Sequence, residues 1–136
     1  EHLLAALKQH RIEMIVLAGY MKKIGKQLLQ AYPNKILNIH PALLPAFGGK
    51  GMFGRHVHEA VIEYGAKITG VTVHLVDSEY DHGPIVMQQV TEVRDDDTPE
   101  TLARRVLELE HQTYYRAIQL FAGKKIEIIA RKVIIH

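Results

Sequence analysis

Cysteine is absent from the 136 residues. That excludes a disulfide framework and any thiol nucleophile, and it is compatible with a reducing, cytoplasmic location. No apolar run approaches the roughly 20 residues that a membrane-spanning helix needs, and no signal-peptide pattern is visible. Charge of one sign is also scarce: 17 Lys and Arg against 15 Asp and Glu leave a formal +2. The basic residues are spread along the chain, so a nucleic-acid surface is not indicated. The glycine-rich stretch at 47–54 lacks GxxxxGK[ST]; Gly49-Lys50-Gly51-Met52-Phe53-Gly54 has the GxGxxG spacing but does not directly follow the strand expected at 35–39, the context a phosphate-binding fingerprint requires.

What is present is a globular composition, 47% apolar and 24% charged. The chain has no internal repeat or linker, so residues 1–136 read as a single domain. It opens at Glu1-His2 within a helical pattern, and an N-terminal portion is therefore expected to be missing. The apolar spacing predicts a helix over residues 1–10, a buried strand at 14–18, a helix at 24–32 and a buried strand at 35–39. A helix follows at 55–64, with Val57, Ala60, Val61 and Tyr64 on its inner face and Gly65 as its cap. Strict alternation at 67–76 predicts a half-buried strand, and the short link to a strand at 85–93 allows an antiparallel pair. Thr98, Pro99 and Glu100 form a helix start for a long helix ending at Gly123. Two short strands turn about Ala130-Arg131.

The chemistry concentrates at residues 38–45. Asn38 and His40 are two apart on an extended backbone, so their side chains share a face. Pro41 has no N–H and ends the ladder. An amide and an imidazole then stand at the end of a buried strand, where open α/β sheets place ligands. The amide can donate to an oxygen gaining charge, and the imidazole can move a proton. A capped strand end with a satisfied histidine fits the same spacing. Gly48, Gly49, Gly51 and Gly54 predict a mobile loop beside this point, or a plain connection. His56 and His58 are two apart, the wrong spacing for two metal ligands on one helical face. The acidic run at 95–97 reads as helix-capping chemistry, so no metal is expected. Asp81, shortly before Gly83-Pro84, fits an Asx turn as well as a catalytic carboxylate.

Over Asn38-Ile39-His40-Pro41-Ala42-Leu43-Leu44-Pro45-Ala46-Phe47 the chain resembles the folate-dependent formyltransferases. Further segments match in the family's order: Leu17-Ala18-Gly19-Tyr20-Met21, Gly70-Val71-Thr72-Val73-His74, Asp77-Ser78-Glu79-Tyr80-Asp81-His82-Gly83-Pro84 and Glu110-His111. The resemblance implies a three-layer α/β/α, Rossmann-like fold with a mostly parallel, mixed sheet. It implies that these residues are the C-terminal two-thirds of the family's chain, without its glycine-rich phosphate-binding turn.

Pro41 followed by Ala-Leu-Leu-Pro favours the branch that acts on glycinamide ribonucleotide in purine biosynthesis. The branches acting on methionyl-tRNA or hydrolysing formyltetrahydrofolate usually differ there. The implied activity moves a formyl group from the co-substrate 10-formyltetrahydrofolate to the ribonucleotide's amine. Asn38, His40 and Asp81 would be catalytic. Met21, Lys22, Ile24 and the 76–81 loop with Asp81 would bind folate, and Glu110 would contact the ribose. Thr72 and His74 would support, by bonding to Asp81 or ordering water. The partners implied are small molecules only, with no nucleic acid, membrane or metal, in a cytoplasmic monomer or homodimer. A deformylase, which is a hydrolase, and a non-catalytic folate-binding module are the alternatives.

Overall fold

The computed structural model describes residues 2–19 and 23–136. The first apolar run supplies β1 (Ile15–Val16) and the second supplies β2 (Ile36–His40). They pair in parallel, Ile15 opposite Ile36 and Val16 opposite Leu37. β3 (Ile68–Leu75) lies antiparallel to β2, and β4 (Ile85–Glu92) lies antiparallel to β3, in the order β1-β2-β3-β4. The sheet is mixed, as the sequence implies. Among the described residues its antiparallel pairings outnumber the parallel one, because the short link between β3 and β4 returns the chain directly.

The alternation along β3 predicts one buried face, yet every residue of it after Ile68 is buried. β3 is a central strand. Val71, Val73 and Leu75 pack toward the helices. Thr72, on the opposite face, lies beneath the segment that follows β2.

α1 (His2–Gln9) and α2 (Lys26–Ala31) lie side by side along a groove lined by Leu4, Ala5, Gln27 and Ala31. α3 (Arg55–Tyr64) stops at Gly65, whose φ of 83° is the left-handed conformation that glycine adopts without penalty. Val57 and Val61 are buried as expected, but Tyr64 is 82% exposed. His58 takes the inward position instead. The buried stripe is the narrow one of Val57, His58 and Val61, and Tyr64 reaches only the edge of the Phe47 ring, 5.9 Å away.

α4 (Pro99–Ala122) starts at a reciprocal cap. Thr101 donates its backbone N–H to the Thr98 hydroxyl at 3.2 Å, and Thr98 donates its own to Thr101 Oγ1 at 3.0 Å. At its other end the left-handed residue is Lys124, not Gly123, which has a φ of −78°. β5 (Ile126–Ile129) and β6 (Lys132–Ile135) form the expected hairpin about Ala130.

The core has two parts on one face of the sheet. Leu37, Val73, Leu75 and Val86 pack with Ala117, while Val61 and Val71 pack with Leu102 and Val106. Each fully buried Leu or Val contributes about 1.5–3 kcal/mol. The Tyr114 hydroxyl of α4 is shared between the carbonyls of Leu17 at 2.6 Å and Leu37 at 3.0 Å, where β1 and β2 end their pairing. The last bond of that ladder is donated by Leu17 N–H to Leu37 O. β2 runs on to His40, so Asn38, Ile39 and His40 extend beyond β1 and line a cavity.

Candidate active site

The cavity has a volume of about 810 Å³, within the range of small-molecule sites. Its walls come from the end of β2, the glycine-rich segment, the loop carrying Tyr80 and Asp81, and one side of α4 with Glu110. Asn38 and His40 do share a face. Their cross-strand partners on β3 are His74 and Thr72 respectively.

His40 is 3% exposed. Its Nε2 lies 2.6 Å from the carbonyl oxygen of Phe47. A carbonyl only accepts, so Nε2 carries a proton and donates it. The other nitrogen, Nδ1, is 3.4 Å from Asp81 Oδ1. Two acceptors about one ring would suit an imidazolium, but burial is the larger influence. With a smaller contribution from His74, it holds the pKa below the usual 6.5 against the opposing pull of Asp81 and Phe47. At neutral pH the ring is therefore uncharged, with Nδ1 bare and facing a carboxylate that would stabilise a proton arriving there.

Asp81 itself titrates below the ordinary carboxylate range. Burial pushes it up, but the His74 and His40 rings and the Gly49 N–H outweigh that. Gly49 donates its backbone N–H to Asp81 Oδ2 at 3.0 Å. Asp81 sits at φ 51° and Phe47 at φ 54°. Non-glycine residues in this region cost of order 1–3 kcal/mol each, and such strain concentrates at functional sites.

His74 Nδ1 donates to the carbonyl of Leu75 at 2.9 Å, which leaves Nε2 as the acceptor in the neutral ring. Asn38 Nδ2 donates to that nitrogen at 3.4 Å. One amide hydrogen of Asn38 is thereby fixed, and the second is left for the cavity. His74 Nε2 also stands 3.7 Å from Asp81 Oδ1.

Thr72 differs from that reading. Its hydroxyl donates to Ala42 O at 2.7 Å and accepts from Leu44 N–H at 3.1 Å and Gln88 Nε2 at 3.0 Å. It braces the segment after His40, with its hydroxyl proton committed to Ala42 O and not to Asp81. Glu110 lines the cavity, and burial raises its pKa to about 7. Ile24 is not among the lining residues, whereas Gly19 is. Met21 and Lys22 lie outside the described residues. Among the described residues no group of three His, Asp or Glu side chains is placed to hold a metal ion.

Four contributors to the site escape the sequence reading. The Phe47 carbonyl and Gly49 N–H are backbone groups with no signature of their own. Arg55 lines the rim and is ion-paired to Glu59 and to Glu100 at the start of α4. His58 was weighed only as a metal ligand, although its place behind a glycine-rich segment marked it as a wall of the same site.

A sequence model of the family described as formyl transferase matches residues 1–118. The chloroplastic phosphoribosylglycinamide formyltransferase of Arabidopsis thaliana is 48% identical over 125 residues, which are 92% of this chain and 43% of that protein. The crystal structure of glycinamide ribonucleotide transformylase 1 from Symbiobacterium toebii superposes with a TM-score of 0.91 at 42% identity, covering 98% of this chain and 61% of that one. A formyltetrahydrofolate deformylase structure from Pseudomonas syringae superposes nearly as well, with a TM-score of 0.89, but at 27% identity over 98% of this chain and 43% of that one. The chain thus spans less than two-thirds of the length of each of these proteins.

Proposed function

Since this chain belongs to the formyl transferase family, we propose that it carries the reaction centre of an enzyme of purine biosynthesis. That enzyme transfers the formyl group of 10-formyltetrahydrofolate to the amine of glycinamide ribonucleotide. The mixed sheet with its helices is the family's Rossmann-like fold. The observation that carries the proposal is the convergence of Asn38, His40 and Asp81, from a strand end and a separate loop, on one cavity.

The amine attacks the formyl carbon and an oxyanion develops. The amide hydrogen of Asn38 not engaged by His74 donates to that oxygen. His40 receives the proton lost by the amine at Nδ1, and Asp81 at 3.4 Å stabilises the imidazolium. Collapse of the intermediate returns that proton to the leaving folate nitrogen. Glu110, on the α4 side, faces the ribonucleotide. The folate side is the 76–81 loop, represented on the cavity wall by Tyr80 and Asp81.

A single domain, small-molecule substrates alone, a monomer or homodimer, and a cytoplasmic location complete the proposal. No helix among the described residues is long and apolar enough to cross a membrane. The Arabidopsis relative is chloroplastic by name.

The test is the absorbance change as folate loses its formyl group, with and without glycinamide ribonucleotide, beside His40→Ala and Asp81→Ala. Turnover that requires the ribonucleotide and collapses in both variants supports the transfer. Formate release without the ribonucleotide identifies the hydrolase, and folate binding without turnover identifies a binding module.

A further inference from the structure

Among the described residues, the cavity wall holds one buried polar side chain that this chemistry leaves unused. His58, in the first turn of α3, is 4% exposed and lines the cavity. Its Nδ1 is sealed from solvent and has no hydrogen-bond partner. Its buried companions on α3, Val57 and Val61, are aliphatic. A packing role alone would be better served by a leucine, because a buried polar atom without a partner costs stability.

The orphaned atom also identifies the tautomer. Buried N–H groups without acceptors are rarer than acceptors without donors, so the proton sits on Nε2 and Nδ1 is bare. Burial, and then the nearby His40, hold the pKa below 6.5. The ring is an uncharged donor. It lines the cavity together with Arg55, Glu100 and Glu110, and Arg55 is already engaged by Glu59 and Glu100. Tyr80 and Asp81 belong to the loop on the folate side.

We propose that His58 is a substrate-binding residue whose Nε2–H donates a hydrogen bond to an oxygen of the amine substrate, a ribose hydroxyl or the carboxamide carbonyl. The proposal rests on the formyl-transfer reading. It adds a contact made by α3, selective for the ribonucleotide over the folate. An orphaned polar atom then has a reason to persist: the fold carries it for the sake of the ligand.

The experiment compares the wild-type protein with His58→Leu and His58→Gln. It reads the melting temperature without ligand, the calorimetric Kd for glycinamide ribonucleotide, and the Kd for a formyl-folate analogue. The expected result is a His58→Leu protein as stable as wild type or more so. It binds the ribonucleotide about tenfold more weakly, the size of one neutral hydrogen bond, with folate affinity unchanged. His58→Gln, which keeps an N–H, recovers most of the loss. A His58→Leu protein that binds the ribonucleotide like wild type overturns the proposal. So does one that melts lower, fails to fold, or loses both ligands together, because His58 would then be packing. Wild type that binds folate but no ribonucleotide overturns the formyl-transfer reading as well.

Discussion

The Asp81 carboxylate stands 3.4 Å from Nδ1 of His40, although the two reach the cavity on separate elements. The pair is a base and the charge that stabilises its protonated form. Asp81→Asn keeps the shape and removes the charge, so kcat should fall by about 10²-fold or more. The pH profile carries the sign. His40 must be neutral to accept a proton, so activity declines as pH falls through its pKa, which lies below 6.5. Asp81 pulls that pKa up, and its loss lets it drop further. The acid limb of kcat/KM should move to lower pH, and a limb that moves upward would contradict the assignment.

Asn38 makes its contribution only as charge develops. Asn38→Ala should lower kcat by about 10²–10³-fold with little change in KM. Steady-state kinetics on both substrates separate the two. A loss confined to KM would place Asn38 in ground-state binding instead.

Glu110 links the cavity to stability. Its folded pKa is about 7, above the ordinary 4.5, because burial disfavours the carboxylate. The folded state therefore holds a proton that the unfolded chain releases. Stability from this group is complete below about pH 4.5 and is lost as pH rises to about 7. Glu110→Gln should raise the melting temperature by a few degrees at pH 8 and leave it nearly unchanged at pH 4.5. Calorimetry at the two pH values checks this.

Gly83 is held by the sheet, not by the conformation of its own backbone. A Cβ at this position would run into the Leu75 carbonyl, and the Leu75 N–H donates to Pro84 O at 2.8 Å. Gly83→Ala must displace backbone, at a cost of about 3 kcal/mol. It should also shift the loop carrying Asp81. Urea denaturation reads the first effect, and loss of kcat at a temperature where the variant is folded reads the second.

Thr98→Ala removes the acceptor for Thr101 N–H at the start of α4. The loss should be about 1 kcal/mol. Arg105 also grips Asp97 through two bonds of 2.7 and 2.8 Å, so α4 should remain formed by circular dichroism while the urea midpoint falls.

The sequence spoke most clearly where a local signal had no competitor. Gly54 and Gly65 bracket α3 at its observed ends, and Thr98-Pro99 starts α4 where capping chemistry requires. The two-residue spacing of Asn38 and His40 sufficed to put them on one face. Tyr64 and His58 exchanged roles because helical periodicity marks an arc, not which residue at its margin turns inward. Alternation reports side-chain type and so makes β3 half-buried, whereas Thr72 and His74 are buried polar groups with partners on another segment. The bonds of Phe47 O to His40 and Gly49 N–H to Asp81 depend on backbone at positive φ or beside it. Nothing in residue identity announces them.

The Tyr114 hydroxyl reaches one carbonyl from each of two neighbouring parallel strands. A slip of β1 past β2 by a single residue would turn one of those carbonyls away. A distant phenol therefore acts as a gauge of alignment for the two strands. It follows that the two strands have a brace outside the polypeptide that joins them. Two pieces severed within that connection should reassemble in the native alignment when mixed, and pieces bearing phenylalanine at position 114 should do so less faithfully.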